Sequence, residues 1–419
     1  MKFHCFVCLL LFILTISMEF EETLSFRRRD MTKLSEFQDK IQERLASCSH
    51  FILPPLSSPS FPFPKMLQIG VHMLPHVADL GGLVIDLQGG SYMIGKPLRF
   101  PSSGGGNLVV KGGTLRASRV FPGDRHLVEL VASNSRIFYE DLTFRDILFD
   151  SSFRGGGIFV TDSARIRITD CYFLHFTTQG IKIKGGHETY ISNSFLGQRS
   201  TVGGDPQEIK FSRTGIDISS NDNAITNVVI FSAGIGISLN GANMITGVHC
   251  YNKATWFGGI GILVKSHLTR IDNCYLDYTG IVIEDPVHVH VTNSLFLGDA
   301  NIVLRSVHGK ISGLNIVNSM FSGTAKFNFP IVKLKGEFHD IDQVVVDHNN
   351  ASEMMLKSTT GMSKVYANGT RWVADFSRVL VFPNRINHYQ HSFFAQSGQI
   401  PANAVTKVSN NVVVVATNR

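Results

Sequence analysis

The sequence predicts an all-β fold, a parallel β-helix with a β-rich C-terminal extension, and three observations support this prediction. One motif recurs along the middle of the chain, at intervals of 20, 26, 20 and 20 residues read from Ile225. A second motif inside each repeat has the alternation of a short strand, and no helical periodicity accompanies it. Repeats of this length that hold two or three short strands are typical of coils stacked at strand spacing, about 4.8 Å.

The first motif places an apolar residue two positions before Asn, Gly or Asp. It occurs as ITDCYF, ISNSFL, ITNVVI, ITGVHC, IDNCYL, VTNSLF and ISGLNI, which start at Ile168, Ile191, Ile225, Ile245, Ile271, Val291 and Ile311. Asn tolerates the left-handed turn conformation, Gly tolerates it more readily still, and stacked Asn side chains form hydrogen-bonded ladders. We therefore predict one line of residues along the helix axis, formed by Asn193, Asn227, Asn273 and Asn293.

The second motif is a short strand that reads GIKI, GIDI, GIGI, GIGI, GIVI and NIVL in successive repeats. Alternation along a strand sends the Ile side chains to one face and the intervening residues to the other. The first outward row is expected to be Lys182, Asp217, Gly236, Gly261, Val282 and Val303. The second outward row is expected to be Lys184, Ser219, Ser238, Leu263, Glu284 and Arg305. Glycines within the first row would leave an open groove for a flat ligand.

Composition divides the chain into four segments. Residues 1–17 form a signal peptide, and residues 18–80 contain a helix (Met31–Ala46) and a proline-rich linker (Phe51–Pro64). Residues 81–322 form the β-helix, which opens with strands expected to pair through glycine turns between Gly81 and Pro101. Residues 323–419, where the repeat fades, form a β-rich C-terminal segment.

The N-terminus has the pattern of a secretory signal. Lys2 precedes the short apolar run CFVCLLLFILTIS, and Thr15 and Ser17 are small residues near the expected cleavage site. A membrane anchor is the alternative, but the run is short for a bilayer. Two glycosylation sequons begin at Asn350 and Asn368. A secreted chain could be glycosylated at them. The cysteines left after cleavage are too few for a disulfide scaffold.

Composition and charge exclude several classes of protein. Charged residues make up 17% of the chain, which is too few for a disordered chain or a coiled coil. The net charge of +6 suits a polyanionic partner without identifying one. The basic residues are scattered, so nucleic acid is not the expected partner.

A longer stretch, GGLVIDLQGGSYMIGKPLRFPSSGGGNLVVKGGTLRAS from Gly81, together with the coils that follow, resembles a known family. It is similar to the plant quartet-type polygalacturonases, which belong to the family 28 glycoside hydrolases. The resemblance implies a right-handed parallel β-helix of the pectin lyase-like kind that hydrolyses α-1,4 bonds of galacturonan in pectin. It also implies an extracellular, cell-wall location and no cofactor. We expect a monomer that binds homogalacturonan, with no nucleic-acid partner and no membrane contact after signal cleavage.

The sequence departs from the usual family 28 pattern at the catalytic motifs. Members of that family carry Asn-Thr-Asp, Asp-Asp, Gly-His-Gly and Arg-Ile-Lys on successive coils. The corresponding positions here hold Ser212-Arg213-Thr214, Ser232-Ala233, Phe257-Gly258-Gly259 and Val282-Ile283-Glu284. Only the Gly-apolar-Asp that follows the first motif is kept, as Gly215-Ile216-Asp217. The N-terminal Tyr-Gly-Ala motif of the superfamily is also missing. The resemblance therefore carries over the fold more fully than the catalytic residues.

Three carboxylates are the candidate catalytic residues. Asp217 and Asp222 lie five residues apart in TGIDISSNDNAI, and glycosidases use paired carboxylates. Asp222 follows Ser-Ser-Asn, so its expected place is a turn. The insertion Gly197–Arg213 precedes Asp217, and a long loop on a rigid scaffold often contributes to a site. This loop is a second source of a partner, either Asp205 or Glu208.

The candidate substrate-binding residues are basic. Lys182 and Lys184 are expected beside Asp217 and Ser219, where they would hold the carboxylates of uronate residues. The alternative for Lys182 is an ordinary exposed ion pair with Asp217, which would contribute little. His187 and Arg213 are further candidates. No metal ligands are predicted.

Two other functions remain open from the sequence. A pectate lyase on the same fold would need a calcium-binding carboxylate cluster and a basic residue to abstract a proton, for which Lys182 or Arg305 are candidates. A β-helix that binds wall polysaccharide without cleaving it is the non-catalytic alternative.

Overall fold

The computed structural model describes residues 51–52, 82–100, 104–131, 137–252, 258–265, 267–393, 398 and 401–418. The chain forms a right-handed parallel β-helix, as predicted. Each coil has three sides, named here in the order in which the chain passes through them. The first side holds the Gly-apolar strands, the second side holds the strands that precede the recurrent Asn, and the third side follows the Asn.

The strands pair with the equivalent strands of the coils before and after them. The first side consists of Leu98–Arg99, His126–Leu130, Gly156–Thr161, Gln179–His187, Ser212–Asn221, Ala233–Asn240, Ile260–Val264, Ile281–Glu284, Ile302–Arg305 and Val332–Lys335. The second side consists of Phe51–Ile52, Leu83–Asp86, Ser163–Ala164, Arg167–Thr169, Tyr190–Ser192, Asn223–Thr226, Asn243–Thr246, His267–Asp272, Val287–Thr292, Lys310–Val317 and Asp340–Asp347. The third side consists of Ser91–Ile94, Tyr172–Leu174, Phe195–Gly197, Val229–Phe231, His249–Tyr251, Tyr275–Asp277, Leu295–Leu297, Met320–Ser322 and Asn350–Ser352. Two long strands run from the second side into the third, Gly105–Ala117 and Tyr139–Asp150.

The core is a set of apolar columns that run parallel to the helix axis. On the first side, one column joins paired residues that are at most 3% exposed: Ile158, Ile181, Ile216, Ile237, Ile262, Ile281, Ile302 and Val332. Burying each such side chain contributes about 1.5–3 kcal/mol. Aromatic rings stack in the same way, with Phe149 and Phe173 at 4.6 Å between centroids and Phe296 and Phe321 at 4.3 Å. The alternation of the second motif is therefore the alternation of core and surface.

The line of Asn residues between the second and third sides is confirmed. Asn193, Asn227, Asn273 and Asn293 follow mutually paired strands and all have left-handed backbone, with φ between 49° and 53°. Gly247 occupies the same place with φ 66°. A buried amide ladder forms elsewhere, at the corner between the first and second sides.

In that ladder, the Asn223 side-chain amide donates to Asn243 Oδ1 at 2.8 Å, and Asn223 Oδ1 accepts from the Thr189 backbone N–H. These two asparagines close the first-to-second corner of their coils. The sequence motif had singled out a different set of asparagines.

The glycines of the second motif do not open the surface, so this part of the prediction was wrong. Asp217 pairs with Ser238 rather than with Gly236, and the first outward row reads Lys182, Asp217, Ser238, Leu263, Val282 and Val303. A Cβ on Gly236 would lie 2.4 Å from the Gly261 carbonyl oxygen and 3.1 Å from Cys250 Sγ. These glycines therefore pack into the corner between the third and first sides, where the chain turns inward.

The segment boundaries also differ from the prediction. The coils continue past residue 322, because Lys310–Val317 pairs in parallel with Asp340–Asp347 and Met320–Ser322 pairs with Asn350–Ser352. Phe51–Ile52, assigned from the sequence to the linker, is a strand that pairs with Ile85 and Asp86.

The strands predicted to pair with one another between Gly81 and Pro101 are instead successive sides of one coil, and each pairs with the next coil. The rest of the predicted linker, the predicted helix at Met31–Ala46 and the predicted signal peptide lie outside the described residues.

A small antiparallel sheet follows the last coil. Its strands are Arg371–Asp375, Asn403–Ser409 and Val412–Thr417, with Val412–Thr417 in the centre. Val381 and Phe382, which lie between the first two of these strands in the chain, are buried in the core that the coils share. Across the described ranges, no helix has the length and apolar character needed to cross a membrane.

Replacing Gly236 with Ala tests the inward orientation of these glycines. We expect Gly236→Ala to lower the free energy of unfolding by about 1–3 kcal/mol, because the added methyl group overpacks a closed corner. Gly123→Ala is the matched control, since a Cβ there meets nothing within 4 Å. Chemical denaturation of both variants checks the prediction. Equal stabilities would show that the Gly236 corner is open.

Candidate active site

Asp217 lies on the outward face of the first side, upstream of Ser238, Leu263 and Val282, which are at most 9% exposed. Its strand neighbours are Lys182 in the preceding coil and Ser238 in the following coil. Asp217 is partly buried, whereas Ile216 and Ile218 on either side of it are fully buried. The strand therefore presents this carboxylate outward while its neighbours anchor the backbone in the core.

The basic residues predicted near Asp217 lie on the same side of the helix. Lys182 pairs with Asp217 and Lys184 pairs with Ser219. Lys182 does not form the simple ion pair that was the alternative interpretation. Its ammonium group lies 5.1 Å from the centroid of the Phe159 ring, in the coil before. Arg213 is exposed and is the second residue of the strand that carries Asp217, Ser212–Asn221.

Upstream of Lys182, the same face carries an ionic cluster that the sequence analysis missed. Glu129 is 1% exposed and accepts hydrogen bonds from Arg125, one of them at 2.8 Å, with Arg99 at 3.4 Å. Burial alone would raise the pKa of Glu129. The hydrogen bonds from Arg125 and from the His126 backbone lower it by a larger amount, so the pKa lies below its usual value. Two arginines around one carboxylate leave this end of the face positively charged.

His126 and Phe159 complete the upstream cluster. Their rings lie 5.5 Å apart, and His126 is 5% exposed. Burial lowers the pKa of His126 to about 4, so the imidazole is neutral near neutral pH. The signal that could have found this cluster is Gly157-Ile158-Phe159-Val160, an earlier copy of the second motif.

His187 and Asp222 lie at the corner between the first and second sides. His187 pairs with Asn221, and its Nδ1 lies 3.5 Å from a Glu188 carboxylate oxygen. Asp222 is exposed and has left-handed backbone with φ 58°, as expected for a turn residue.

The strand that carries Asp217 continues to Asn221 instead of bending after Ser219. Five extended residues span about 16 Å, beyond the ~6.5–9.5 Å between carboxylates in inverting glycosidases. This geometry argues against Asp217 and Asp222 as a pair.

The insertion loop uses its two carboxylates to hold itself together. Asp205 accepts hydrogen bonds from the backbone N–H groups of Gln207, Ile209 and Lys210 at 3.0–3.1 Å. The bond from Lys210 is the main reason that the pKa of Asp205 is lowered.

Glu208 is buried in the same loop and accepts a hydrogen bond from the Ser200 hydroxyl at 3.0 Å. Arg199 lies 3.7 Å from Glu208 and also covers the Phe231 and Tyr251 rings, which places the loop over the third side. The expectation that Asp205 or Glu208 reaches the first side therefore finds no support in these contacts.

Asp277 is a carboxylate that sequence reasoning did not single out. It lies on the third side next to Tyr251, and its Oδ1 is buried without a hydrogen-bond partner among the described residues. Burial raises the pKa of Asp277 above its ordinary value. A raised pKa is characteristic of a general acid in glycosidases. Nothing in the repeat pattern distinguishes Asp277 from other outward residues.

The first side therefore offers one partly exposed, outward carboxylate with cations on one flank. Lys182 and Lys184 lie beside Asp217, and Arg99 and Arg125 lie further upstream. Such a face is suited to binding a polyanion across several coils and to placing one carboxylate against it. Asp217 has no second carboxylate on an adjacent coil of this face, since its row neighbours are Lys182 and Ser238.

Comparison with known proteins assigns this parallel β-helix to a class of hydrolases. The chain is 52% identical over 357 residues to the protein named polygalacturonase QRT3 of Arabidopsis thaliana, covering 83% of this chain and 74% of that protein. The chain belongs to the polygalacturonase family, as its resemblance implied. No family model matches it.

Solved structures with a similar shape are much more distant in sequence. The endo-xylogalacturonan hydrolase of Aspergillus tubingensis is 12% identical, with a TM-score of 0.49, covering 71% of this chain and 92% of that one. The A-module of mannuronan C-5 epimerase AlgE4 of Azotobacter vinelandii is 12% identical, with a TM-score of 0.41, covering 69% and 95%. The family assignment rests on the plant relative.

The Glu129 cluster predicts a pH-dependent stability difference. Because the folded-state pKa of Glu129 is lowered, its contribution is fully present above the unfolded value near 4.5 and is lost as pH falls through the folded value. We expect Glu129→Gln to cost about 2 kcal/mol of unfolding free energy at neutral pH, since hydrogen bonds to a charged group are lost.

Denaturant titrations of both proteins at neutral pH and at a series of pH values below 4.5 measure this difference. The difference should shrink as the pH falls. A difference that stays constant with pH would mean that the charge of Glu129 does not contribute.

Proposed function

We propose that this protein is a secreted polygalacturonase that hydrolyses α-1,4-linked galacturonan in the pectin of the plant cell wall. The observation that carries the proposal is the 52% identity to a plant polygalacturonase over 83% of the chain. The N-terminal pattern of a signal peptide and the two sequons support an extracellular, glycosylated protein.

The charge distribution of the first side supports a uronate polymer as the substrate. Galacturonan carries one carboxylate on each sugar, so a chain laid along the helix axis meets a cation where Lys182 and Lys184 stand. Arg213 stands at the start of the Asp217 strand and His187 at the far corner of the coil before it, so both border the proposed path. In this proposal these four residues bind substrate.

Asp217 is the proposed acid–base residue at the centre of the path. It is outward on this face and matches the family pattern, as the Asp of Gly215-Ile216-Asp217. A positioned carboxyl can protonate the glycosidic oxygen or activate water. Asp205 and Asp222 stay candidates for the second carboxyl from the sequence, although their observed contacts and spacing weigh against them. Asp277, with its raised pKa, joins them from the structure.

Product analysis on polygalacturonate tests the reaction class. We expect new reducing ends without absorbance from a 4,5-unsaturated uronate, because hydrolysis adds water across the broken bond. An unsaturated product would instead identify a lyase. Tight binding of the polymer without any new ends would identify a non-catalytic binder.

Substitution of Asp217 tests its proposed role. We expect Asp217→Asn to lower kcat on polygalacturonate by about 10²-fold or more, since general acid–base groups contribute 10²–10⁴-fold. The thermal unfolding midpoint should be nearly unchanged, because Asp217 has no ion pair among the described residues. Asp222→Asn is the comparison variant, since Asn also tolerates the left-handed turn. From the spacing we expect a milder effect than that of Asp217→Asn, and near wild-type activity would remove Asp222 from the candidates for the second carboxyl. Normal turnover in a folded Asp217→Asn protein would place the site elsewhere.

A further inference from the structure

The downstream end of the first side carries a surface that the proposed function does not use. It consists of the loop Gly323–Pro330 and the strand Val332–Lys335 that follows the loop directly. This loop lies between the third side and the first side, at the same corner as the insertion Gly197–Arg213. We call it the downstream loop.

Two aromatic rings of the downstream loop form an exposed, nearly parallel pair. The Phe327 and Phe329 ring centroids are 5.5 Å apart, with an angle of 14° between the ring planes. Phe327 is 53% exposed and Phe329 is 40% exposed, although both are large apolar side chains. The Lys326 ammonium lies 5.6 Å from the Phe327 centroid. The loop therefore exposes an aromatic surface to solvent, with the Lys326 ammonium at its edge.

The downstream loop is held in place at both ends. Asp299 accepts hydrogen bonds from the Thr324 backbone N–H at 2.7 Å and from the Thr324 hydroxyl at 2.8 Å. At the other end, the Asn301 side-chain amide donates to the Pro330 carbonyl at 3.1 Å. A turn closes within the loop, where the Phe327 backbone N–H donates to the Thr324 carbonyl at 2.9 Å. Because the loop is already ordered, binding there would not require the rings to be fixed first.

The adjoining strand adds two cations to the same end of the face. Lys333 and Lys335 are exposed and pair with Val303 and Arg305 of the coil before. Arg305 is bound to Glu284 at 2.8 Å. Across the described ranges, no carboxylate lies within the 4.0 Å salt-bridge limit of Lys326, Lys333 or Lys335. Three positive charges therefore face solvent without a compensating acid close by.

The position of these lysines relative to Asp217 follows from the strand register. Lys333 stands in the same outward row as Asp217, five pairings further along, through Ser238, Leu263, Val282 and Val303. At about 4.8 Å per coil, this is about 24 Å along the axis. Between them, Ser238, Leu263 and Val282 are at most 9% exposed and carry no charge, so this part of the row itself offers a polymer no open contact. A polymer several sugars long is needed to touch both places at once.

We propose that Phe327, Phe329, Lys326, Lys333 and Lys335 form a remote subsite that grips a polyuronate chain already engaged at Asp217. The inference rests on the proposed function and adds a preference for long chains to it. The occupant is a polyuronate because charge complementarity requires an anion and the exposed ring pair suits the apolar face of a pyranose. The subsite holds the polymer through its carboxylates and ring faces, and it performs no chemistry.

Two double variants and one control test this subsite. Lys333→Gln/Lys335→Gln removes the charges, and Phe327→Ala/Phe329→Ala removes the rings. Lys310→Gln is the control, because Lys310 is an exposed lysine on the second side, 3.4 Å from Asp340. Each protein is titrated with long-chain polygalacturonate and with a short oligogalacturonide that cannot span the two places, and its dissociation constants are measured directly.

We expect both double variants to bind the long polymer about tenfold more weakly, as loss of about 1.4 kcal/mol implies. Their affinity for the short oligomer should stay the same, and the control should match the wild type. The loss in the lysine variant should shrink at high salt, because screening already weakens the wild-type contact. Thermal unfolding of each variant confirms that the loop substitutions leave the protein folded.

The outcomes separate this inference from the proposed function. If the wild type cleaves polygalacturonate but the double variants bind the long polymer as tightly as the wild type, the remote subsite is wrong and the proposed function stands. Equal losses for short and long chains would also overturn it. If the wild type shows no cleavage, the proposed function fails, and the binding titrations still decide whether these residues grip a polyuronate. A third titration uses an uncharged pectic glycan, and equal weakening of its binding in the double variants would overturn a polyuronate as the occupant.

Discussion

The structure depends on one constraint, that each coil must close onto the coil before it in the same hydrogen-bonding register. One recurrent requirement falls between the second and third sides, where the chain turns through a single left-handed residue in successive coils. Asn193, Asn227, Gly247, Asn273 and Asn293 all meet it with positive φ. Gly adopts this conformation freely and Asn at little cost, whereas most other residues adopt it seldom, so the constraint is visible in the sequence. Once the turn is fixed, the parallel pairing and the apolar columns follow.

The same register turns a linear sequence into a functional face. Residues 20 or more positions apart become neighbours about 4.8 Å apart, so Lys182, Asp217 and Ser238 form one row. Cations lie upstream of Asp217 around Glu129, and further cations lie downstream at Lys333 and Lys335. An anionic polymer that follows the row would meet charge of the opposite sign at both ends. The stacked coils fix these spacings. The downstream loop, at the corner between the third and first sides, adds exposed aromatic rings and a further lysine.

Much of the fold was predictable from the sequence, because the repeat reflects backbone requirements that hold in every coil. The Asn line and the pairing of Lys182 with Asp217 followed from motif spacing alone. The pairing of Asp217 with Ser238 did not. The chain takes an inward corner at Gly215 and Gly236, and counting residues from a glycine cannot show on which side of that corner the outward row begins. The end of the coils was also placed too early, since Asp340–Asp347 lacks the Asn signal and has His348 in its place.

The site was less predictable than the fold, because its properties come from three-dimensional surroundings. Asp205 looked available in the sequence, yet its carboxylate binds three backbone N–H groups of its own loop. Asp277 looked like any outward residue, yet burial beside Tyr251 raises its pKa. Burial of one side chain and hydrogen bonds within one loop do not recur from coil to coil, so the sequence repeat does not reveal them.

The central claim is that a uronate polymer lies along the first side with Asp217 at the cleavage point. A crystal structure of the inactive Asp217→Asn variant with a bound oligogalacturonide tests it most directly. The account predicts sugar rings that cross successive coils of the first side, with a glycosidic oxygen within hydrogen-bond distance of residue 217 and uronate carboxylates at Lys182 and Lys184. A ligand bound on the third side, against Tyr251 and Asp277, would contradict it.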